Sequence, residues 1–585
     1  MLKVFRKIGF LCYFSLIASV LFFLGYRAYG VWSIVSRHTG RNEPIYLNII
    51  NKDAIVVSVI LLLLYFGLFK SKKKIILWLN FATKLLALFI TIFYAVDSFL
   101  LLKLFRRLHY GDILNFGTEI KAGLSLLSGT RTNLISAKLV GIILAAVFII
   151  SVFSFLTLKL KNNHVKTHNK FILCSSLFFL IIGLIPIKNT VPYQNIFVYN
   201  LPKGCDLPYS ENFIENLRKI PECVEIHTGE NNRPDIILLL VESLSSSQSL
   251  FFSGINNFTP HFDSIAEQNL SFFNFIANGA STDQGLVALL LGILPLPAVD
   301  SAHRGPFQTY QSVESLPFFL KKYGYKTYFL TTGDLSFTNK GAWLNKIGFD
   351  VIEGDETPEY KKWPRYAFNA APDEALYNHA EKLIKILKIN GRPDFVVIET
   401  VSSHLPFIDP YGQSNTEESV IRYVDQQMGK FYTKLLDLHF FKNGLLLITG
   451  DHRIMAPLSS AEIKKYGDSA FTRVPLVVAD GGKRKGKNST YFQQTDLYSS
   501  FKWLVSEEYK KTPWDGNFLQ PNPEPAICIL AHMVNNVDLV YAFCGSAEGY
   551  IKLEGDKTHL IKGEIEPLIA KMAVEKINRN RIFLH

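Results

Sequence analysis

Five uncharged apolar runs, at 8–26, 54–69, 85–96, 139–158 and 171–187, constrain this 585-residue chain more than any other feature. A helix needs roughly 20 apolar residues to cross a bilayer, with a range of about 17–25. The third run reaches that length when extended back to Ile75, with Lys84 then snorkelling or facing another helix. Five spans are expected on this basis. A cleaved signal peptide would account for the first run, which follows Lys3, Arg6 and Lys7, but not for the other four. Composition agrees: the chain is 48% hydrophobic with 46 Phe, and its mean hydropathy is +0.16.

The formal charge of +12 is placed informatively. The N-terminus is basic, the loop after the second run reads "KSKKK", and the loop after the fourth reads "KLKNNHVKTHNK". Short basic loops stay on the cytoplasmic side. With an odd number of spans, everything after Ile187 then lies outside, as does the longer loop 103–138 with Arg106, Arg107 and Arg131. Charge concentrated in these loops points to membrane topology, and no nucleic-acid partner is expected. Cys205, Cys223, Cys528 and Cys544 fall in the external part, where disulfides persist. Local pairing, Cys205–Cys223 and Cys528–Cys544, is the simplest of three connectivities, and none of the four has metal-site spacing. The expected organisation is a transmembrane region of five helices at 1–187, a linker at 188–232 with a short helix near 211–219, and an external domain at 233–585 with a small C-terminal subdomain.

From Arg233 onward short continuous apolar runs appear: "DIILLLVE" (235–242), "YKTYFL" (325–330), "DFVVIE" (394–399), "GLLLIT" (444–449) and "RVPLVVAD" (473–480). Continuous rather than alternating apolar strands mark a mostly parallel sheet buried on both faces. Helix-length stretches between them, such as 375–389 and 419–438, complete a doubly wound α/β pattern. In such sheets ligands bind beyond the carboxyl ends of the strands. The first run ends at Glu242, the second leads to Thr331-Thr332-Gly333-Asp334, the third ends at Glu399 and soon reaches His404, and the fourth ends at Asp451-His452. Acids and imidazoles thus collect on one rim.

Two carboxylates and an imidazole suit a divalent ion of borderline hardness, Zn²⁺ or Mn²⁺, better than Mg²⁺, which prefers oxygen. The alternative is that Asp451 caps a helix and His452 is an ordinary loop residue. A nucleophile is supplied by "NFIANGASTDQGLVALLLG" (274–292), where small residues precede Thr282 and an apolar helical pattern follows from Leu286. A hydroxyl at a helix N-terminus lies where backbone N–H groups favour an anion, and coordination to a metal would activate it further. Alternatively Ser281 or Thr282 simply caps the helix.

"VESLSS", "TPHFDSIAEQNLSFFNFIANGASTDQGLVALLLGILPLP", "GYKTYFLTTGDLSFTN", "GFDVIEG", "TVSSHLPF", "TGDHR" and "RVPLVV" fall in an order that resembles the lipoteichoic acid synthase and phosphoglycerol transferase family, in the sulfatase-like branch of the alkaline phosphatase superfamily. The resemblance covers most of 233–480, and the five-span layout is similar. It implies an extracytoplasmic sulfatase-like α/β domain anchored in the cytoplasmic membrane of a bacterium. It implies Glu242, Thr282, Asp451 and His452 as ligands of one divalent ion, Mn²⁺ first with Zn²⁺ or Mg²⁺ as alternatives. Thr282 is implied as nucleophile, and His404 as the residue that meets phosphate or acceptor and protonates the leaving group. The implied reaction moves a head group from phosphatidylglycerol through a threonine intermediate to a hydroxyl of a glycan or polymer, releasing diacylglycerol.

The chain also departs from that family. Some members carry a histidine before the "GDLSF" region and Trp and Arg after it; here Thr331, Thr332 and Lys340 stand thereabouts. A sulfatase needs Cys or Ser in C/S-x-P-x-R; here the stretch is Thr282-Asp283-Gln284-Gly285-Leu286, so sulfate ester hydrolysis is not expected. Other readings stay open: a phosphoethanolamine transferase, although "VES" and "STDQG" stand in place of "GET" and "TSTA"; a metal-dependent phosphodiesterase; and a non-catalytic envelope scaffold. Trp363, Arg365 and His379 could line a head-group pocket or form a solvated loop; 481–488 reads as an exposed turn, with attraction to a phosphate surface as the alternative; Asp97, Arg106 and Arg107, at the outer end of the third span, could contact lipid head groups or simply mark the interface; Asp496 starts a helix.

Overall fold

The computed structural model describes residues 27–28, 45–66, 74–104, 108, 162–184, 209–219, 223–227, 233–296, 305–310, 314–389, 391–412, 414–533 and 536–583. The chain divides into two compact units, one drawn chiefly from 1–113 and 132–203, the other chiefly from 204–455 and 461–585.

In the first unit the helices Ile45–Phe66, Lys74–Leu104 and Asn162–Leu184 carry parts of the second, third and fifth expected spans. The first and fourth expected spans lie outside the described residues. Among the described residues no helix is long and apolar enough to cross a membrane. Lys52 and Asp53 fall in the first of these helices, Lys84 and Asp97 in the second, and Lys166 and Lys170 in the third. Val56, Val57, Leu61, Ile90, Tyr94, Ile172 and Phe179 form this unit's core. Arg27 is buried there with its guanidinium 3.0 Å from Asp53 and 3.1 Å from Asp97, so Asp97 is an internal ion-pair partner in this unit. Trp78, Phe89 and Ile181 point outward and are 71%, 61% and 65% exposed.

The second unit is built on an eight-stranded sheet. Its strands are β2 (Asp235–Val241), β3 (Leu270–Ile276), β4 (Lys326–Thr331), β5 (Val351–Glu353), β6 (Asp394–Glu399), β7 (Gly444–Gly450), β8 (Arg473–Ala479) and β9 (Gly486–Gln493), in the order β5-β4-β6-β2-β7-β8-β3-β9. Only the pairings of β8, with β7 and β3, are antiparallel. The expected mostly parallel sheet is therefore present. The continuity of the apolar runs has a direct cause: along β2, Ile236, Leu238 and Leu240 enter one core while Ile237, Leu239 and Val241 enter the other. On the first side lies the helix Thr282–Leu291; on the second lie Asp373–Leu387 and Glu417–Asp437.

β3, β5 and β9 were not evident as apolar runs. Ser271 and Asn274 interrupt β3, and both bond internally, Ser271 Oγ to the Ala266 carbonyl (2.7 Å) and Asn274 Nδ2 to the Ser489 carbonyl (2.6 Å). Of the stretch 481–488 only the first part is a turn, since β9 starts at Gly486. Residue Asp496 does begin a helix, Asp496–Val505.

A two-stranded sheet joins β1 (Val224–His227) to β10 (Glu508–Lys511). A four-stranded antiparallel sheet follows: β11 (Ile529–Met533), β12 (Asn536–Cys544), β13 (Ala547–Glu554) and β14 (Lys557–Gly563). It shares a core with the helices Glu211–Arg218 and Pro567–Phe583, and a disulfide joins Cys528 to Cys544. Cys205 lies outside the described residues, so the other expected pairing does too.

Candidate metal and nucleophile site

β2 and β7 are parallel neighbours in register Val241 to Gly450, so the residues that follow them, Glu242 and Asp451-His452, leave the sheet side by side. Gly450 is required at that point, because a Cβ there would stand 2.2 Å from the Leu244 carbonyl oxygen. Ser243 takes a left-handed backbone (φ 59°), rare for a residue with a side chain, and this strain serves the site. Its N–H donates to Asp451 Oδ1 (2.8 Å) and its hydroxyl donates to Glu242 Oε1 (2.8 Å), so one residue fixes both carboxylates.

The Glu242 backbone is held in turn by the strand beside it. Its N–H donates to Thr400 Oγ1 (3.0 Å), and the Ser403 hydroxyl donates to its carbonyl (2.5 Å). His452 is fully buried, and its Nδ1 is 2.9 Å from the Arg453 carbonyl. A carbonyl can only accept, so Nδ1 carries the proton and Nε2 is turned to the acids, 3.5 Å from Glu242 and 3.4 Å from Asp451 Oδ2.

Thr282 opens the helix Thr282–Leu291 behind Ser281, as the sequence suggested, and it is half-buried. Its hydroxyl donates to Glu242 Oε2 (3.1 Å) and lies 3.5 Å from His452 Nε2. The helix can come this close because its fourth residue is glycine: a Cβ on Gly285 would stand 2.1 Å from the Asp451 carbonyl oxygen. Four residues distant in sequence, Glu242, Thr282, Asp451 and His452, thus meet at one point of the rim.

Burial and mutual charge set the electrostatics of the cluster. Burial pushes the Asp451 carboxyl up, to about 7, and the neighbouring Glu242 charge adds to the effect. Burial alone would lower the His452 imidazole, but Asp451 and Glu242 overcome it and raise it to about 10. Burial also opposes the Glu242 charge, yet the hydrogen bond and charge of His452, with His404 adding, hold it down at about 2. Asp451 Oδ2 is buried and receives no hydrogen bond. One ligand atom each from Glu242, Asp451 and His452 lie within 4.8 Å of one another. An orphaned carboxylate oxygen, a second carboxylate and a ring nitrogen that would give up its proton to a cation fit a divalent ion of borderline hardness.

His404 sits on the turn after β6, half-buried, with its ring edge-to-face against Phe368 at 4.5 Å and its Nδ1 on the Leu405 carbonyl. It lines a pocket with Tyr366, Ala370, Pro406, Ile408 and Pro410. The fully buried Asp373 sets this turn, accepting the N–H groups of Val401 (3.1 Å) and Ser402 (3.0 Å) on Oδ1. Sequence reasoning passed over Ser243, Thr400, Ser403 and Asp373. Ser243 and Ser403 at least stood inside "VESLSS" and "SSHLPF".

The other residues singled out from the sequence have bracing roles. Arg365 donates to the Asn369 and Asp355 carbonyls, both at 3.0 Å, His379 pairs with Glu353 at 2.5 Å, and Trp363 packs on the second core. Lys340 is paired with Glu399 at 2.5 Å. Asp496 accepts the N–H groups of Gln493 (3.0 Å) and Gly516 (3.1 Å). Arg106 and Arg107 lie outside the described residues.

A doubly wound sheet with this cluster at its carboxyl edge defines a sulfatase-like domain of the alkaline phosphatase fold, and residues 234–504 match the Sulfatase family model. Among the chain's relatives, lipoteichoic acid synthase 1 of Bacillus subtilis is 26% identical over 263 residues, covering 41% of this chain and 40% of that protein. Phosphoglycerol transferase I of Salmonella paratyphi B is 26% identical over 229 residues, covering 34% of this chain and 28% of that one. The chain therefore matches less than half the length of either relative. A crystal structure of an alkaline phosphatase superfamily protein from Vibrio parahaemolyticus shares the fold, with TM-score 0.52 and 18% identity over 64% of this chain and 95% of that one.

Proposed function

We propose that this chain is a membrane-anchored, metal-dependent phosphoglycerol-type transferase, with Thr282 as nucleophile. The observation that carries the reading is the half-buried Thr282 hydroxyl at a helix N-terminus, 3.1 Å from Glu242 and 3.5 Å from His452. Glu242, Asp451 and His452 would hold the ion, Mn²⁺ by preference. When bound, it supplies Lewis-acid stabilisation to a threonine alkoxide and to phosphoryl oxygens. The first helical N–H groups favour the same negative charge.

Thr282 Oγ1 gives its proton to water and forms a bond to phosphorus as the bond from phosphorus to the diacylglycerol oxygen breaks. We assign His404 the proton that the leaving oxygen takes up. A hydroxyl of a glycan or polymer then attacks the threonine phosphodiester and passes its proton to His404; the Oγ1–phosphorus bond breaks, and Thr282 Oγ1 takes a proton back from water. Phosphatidylglycerol is the proposed donor, supported by the names of the two curated relatives. A lipid donor suits an anchored enzyme. Outward-facing Trp78, Phe89 and Ile181, together with the basic loops, support a cytoplasmic-membrane anchor at 1–187, a linker at 188–232 and an extracytoplasmic domain at 233–585.

The test is diacylglycerol release by the full chain in Mn²⁺, from vesicles containing phosphatidylglycerol or phosphatidylethanolamine, with Thr282→Ala beside it and an EDTA-treated sample. Release from phosphatidylglycerol that is lost in the variant and on chelation is expected. Release from phosphatidylethanolamine alone would overturn the donor, and undiminished release by Thr282→Ala would overturn the nucleophile.

A further inference from the structure

The nucleophile turn and the metal-ligand turn are far apart in sequence and must keep one spacing for Thr282 to face Glu242 and His452. We propose that Gln494 is the positioning residue that sets this spacing; the inference rests on the site reading above. Gln494 is fully buried at the end of β9. Its Oε1 accepts the N–H of Asn278 (3.1 Å), at the head of the turn that leads to Thr282. Its Nε2 donates to the carbonyls of Gly450 (3.0 Å) and Asp451 (2.7 Å). Its own N–H donates to the Ile276 carbonyl (3.0 Å). One side-chain amide therefore ties the chain just before the nucleophile to the chain that presents Asp451 and His452.

The partners leave little freedom. Asn278 is itself locked: its Oδ1 accepts the Thr495 N–H (3.0 Å), and its Nδ2 donates to Gln493 Oε1 (2.8 Å) and the Leu530 carbonyl (2.6 Å). The Asp451 carbonyl that Gln494 binds is also the atom that a Gly285 Cβ would strike at 2.1 Å. It is thus held by an amide on one side and bounded by the nucleophile helix on the other. The chemistry needs one acceptor and two donors on a single planar group, which glutamine supplies. Glutamate has no donor, and asparagine is one methylene shorter.

Gln494→Glu would set a carboxylate oxygen against two carbonyl oxygens, and Gln494→Met keeps the length without polar atoms or charge. Gln493→Glu is the comparison: this buried side chain next door keeps an Oε1 acceptor for Asn278 Nδ2 and the Leu530 N–H, loses only its Nε2 bond to the Cys528 carbonyl, and touches neither Gly450 nor Asp451. Full-length proteins would be titrated with Mn²⁺ calorimetrically, their thermal midpoints recorded, and diacylglycerol release measured. Supporting residues one step behind metal ligands typically cost about 10–100-fold in affinity or rate when changed. At least about tenfold weaker Mn²⁺ binding and a similar fall in kcat, with KM unchanged, are expected for both Gln494 variants, while Gln493→Glu keeps wild-type Mn²⁺ affinity.

Gln494 variants that bind Mn²⁺ and turn over like wild type would overturn the assignment. So would loss of Mn²⁺ affinity in Gln493→Glu equal to that in Gln494→Met, which would reduce the effect to general destabilisation. A wild-type protein that neither binds Mn²⁺ nor releases diacylglycerol would overturn the site reading itself. That result is separable, because it appears before any variant is compared.

Discussion

Gly285→Ala is the sharpest test of the site's geometry, because two physical effects of opposite sign compete at one atom. Gly285 lies inside a helix, and on backbone entropy alone alanine there should stabilise by about 0.5–1 kcal/mol. The added Cβ, however, would stand 2.1 Å from the Asp451 carbonyl oxygen and 2.9 Å from its carbon. Reaching ordinary contact requires the helix or the metal-ligand turn to retreat by about 1 Å or more. Neither can do so freely: the same carbonyl is bonded to Gln494, and the helix packs Leu286, Val287 and Leu289 into the core. Overpacking of this kind costs about 1–3 kcal/mol, so the net effect is a loss of about 1–2 kcal/mol of stability. A misplacement of 1 Å between reacting groups costs about 10²-fold in rate. Thermal unfolding and diacylglycerol release under saturating Mn²⁺ measure both. A variant as stable as wild type and active within about twofold would refute the close approach of helix and metal turn, and with it the placement of Thr282.

Two further changes probe the groups around the cluster. Ser243→Ala removes the bond to Glu242 while leaving the N–H on Asp451; a hydrogen bond to a charged group contributes about 1.5–3 kcal/mol, so Mn²⁺ affinity by calorimetry should fall about tenfold or more, and unchanged affinity would show that Glu242 is fixed by other means. Asp373 has its carboxyl pushed up to about 6 by burial, so the stability it contributes is fully present below the unfolded carboxylate range and is lost as pH rises through about 6. Asp373→Asn keeps an acceptor for Val401 and Ser402 but cannot titrate, so between pH 4 and 7 its stability should gain on wild type by up to about 3 kcal/mol in parallel denaturant titrations; a pH-independent difference would sink this account.

What was legible in the sequence follows from burial. Strands β2, β4, β6, β7 and β8 have two buried faces, so each prints as an unbroken apolar run, and for the parallel strands β2, β6 and β7 the acid or imidazole at the end marks the rim. β9 left no such print, because its first residues are solvent-facing and its last residue, the polar Gln493, is buried, as is Gln494 just beyond it. The candidate ligands and the nucleophile were visible because side-chain chemistry requires particular residues, and such residues stand out beside glycine and apolar neighbours. The residues that space them were not. Ser243 works through a backbone N–H and an uncommon φ, and Asp373 and Gln494 read backbone N–H and carbonyl groups. Any chain can present those groups, so the partner's sequence carries no trace of the contact. Gly285 makes the same point from the other side: its meaning lies in an atom it lacks and in a carbonyl distant along the chain, and only the fold brings the two together. Motifs therefore reveal which chemistry a site of this kind can attempt, while the precision of that chemistry rests on buried polar residues whose partners are backbone.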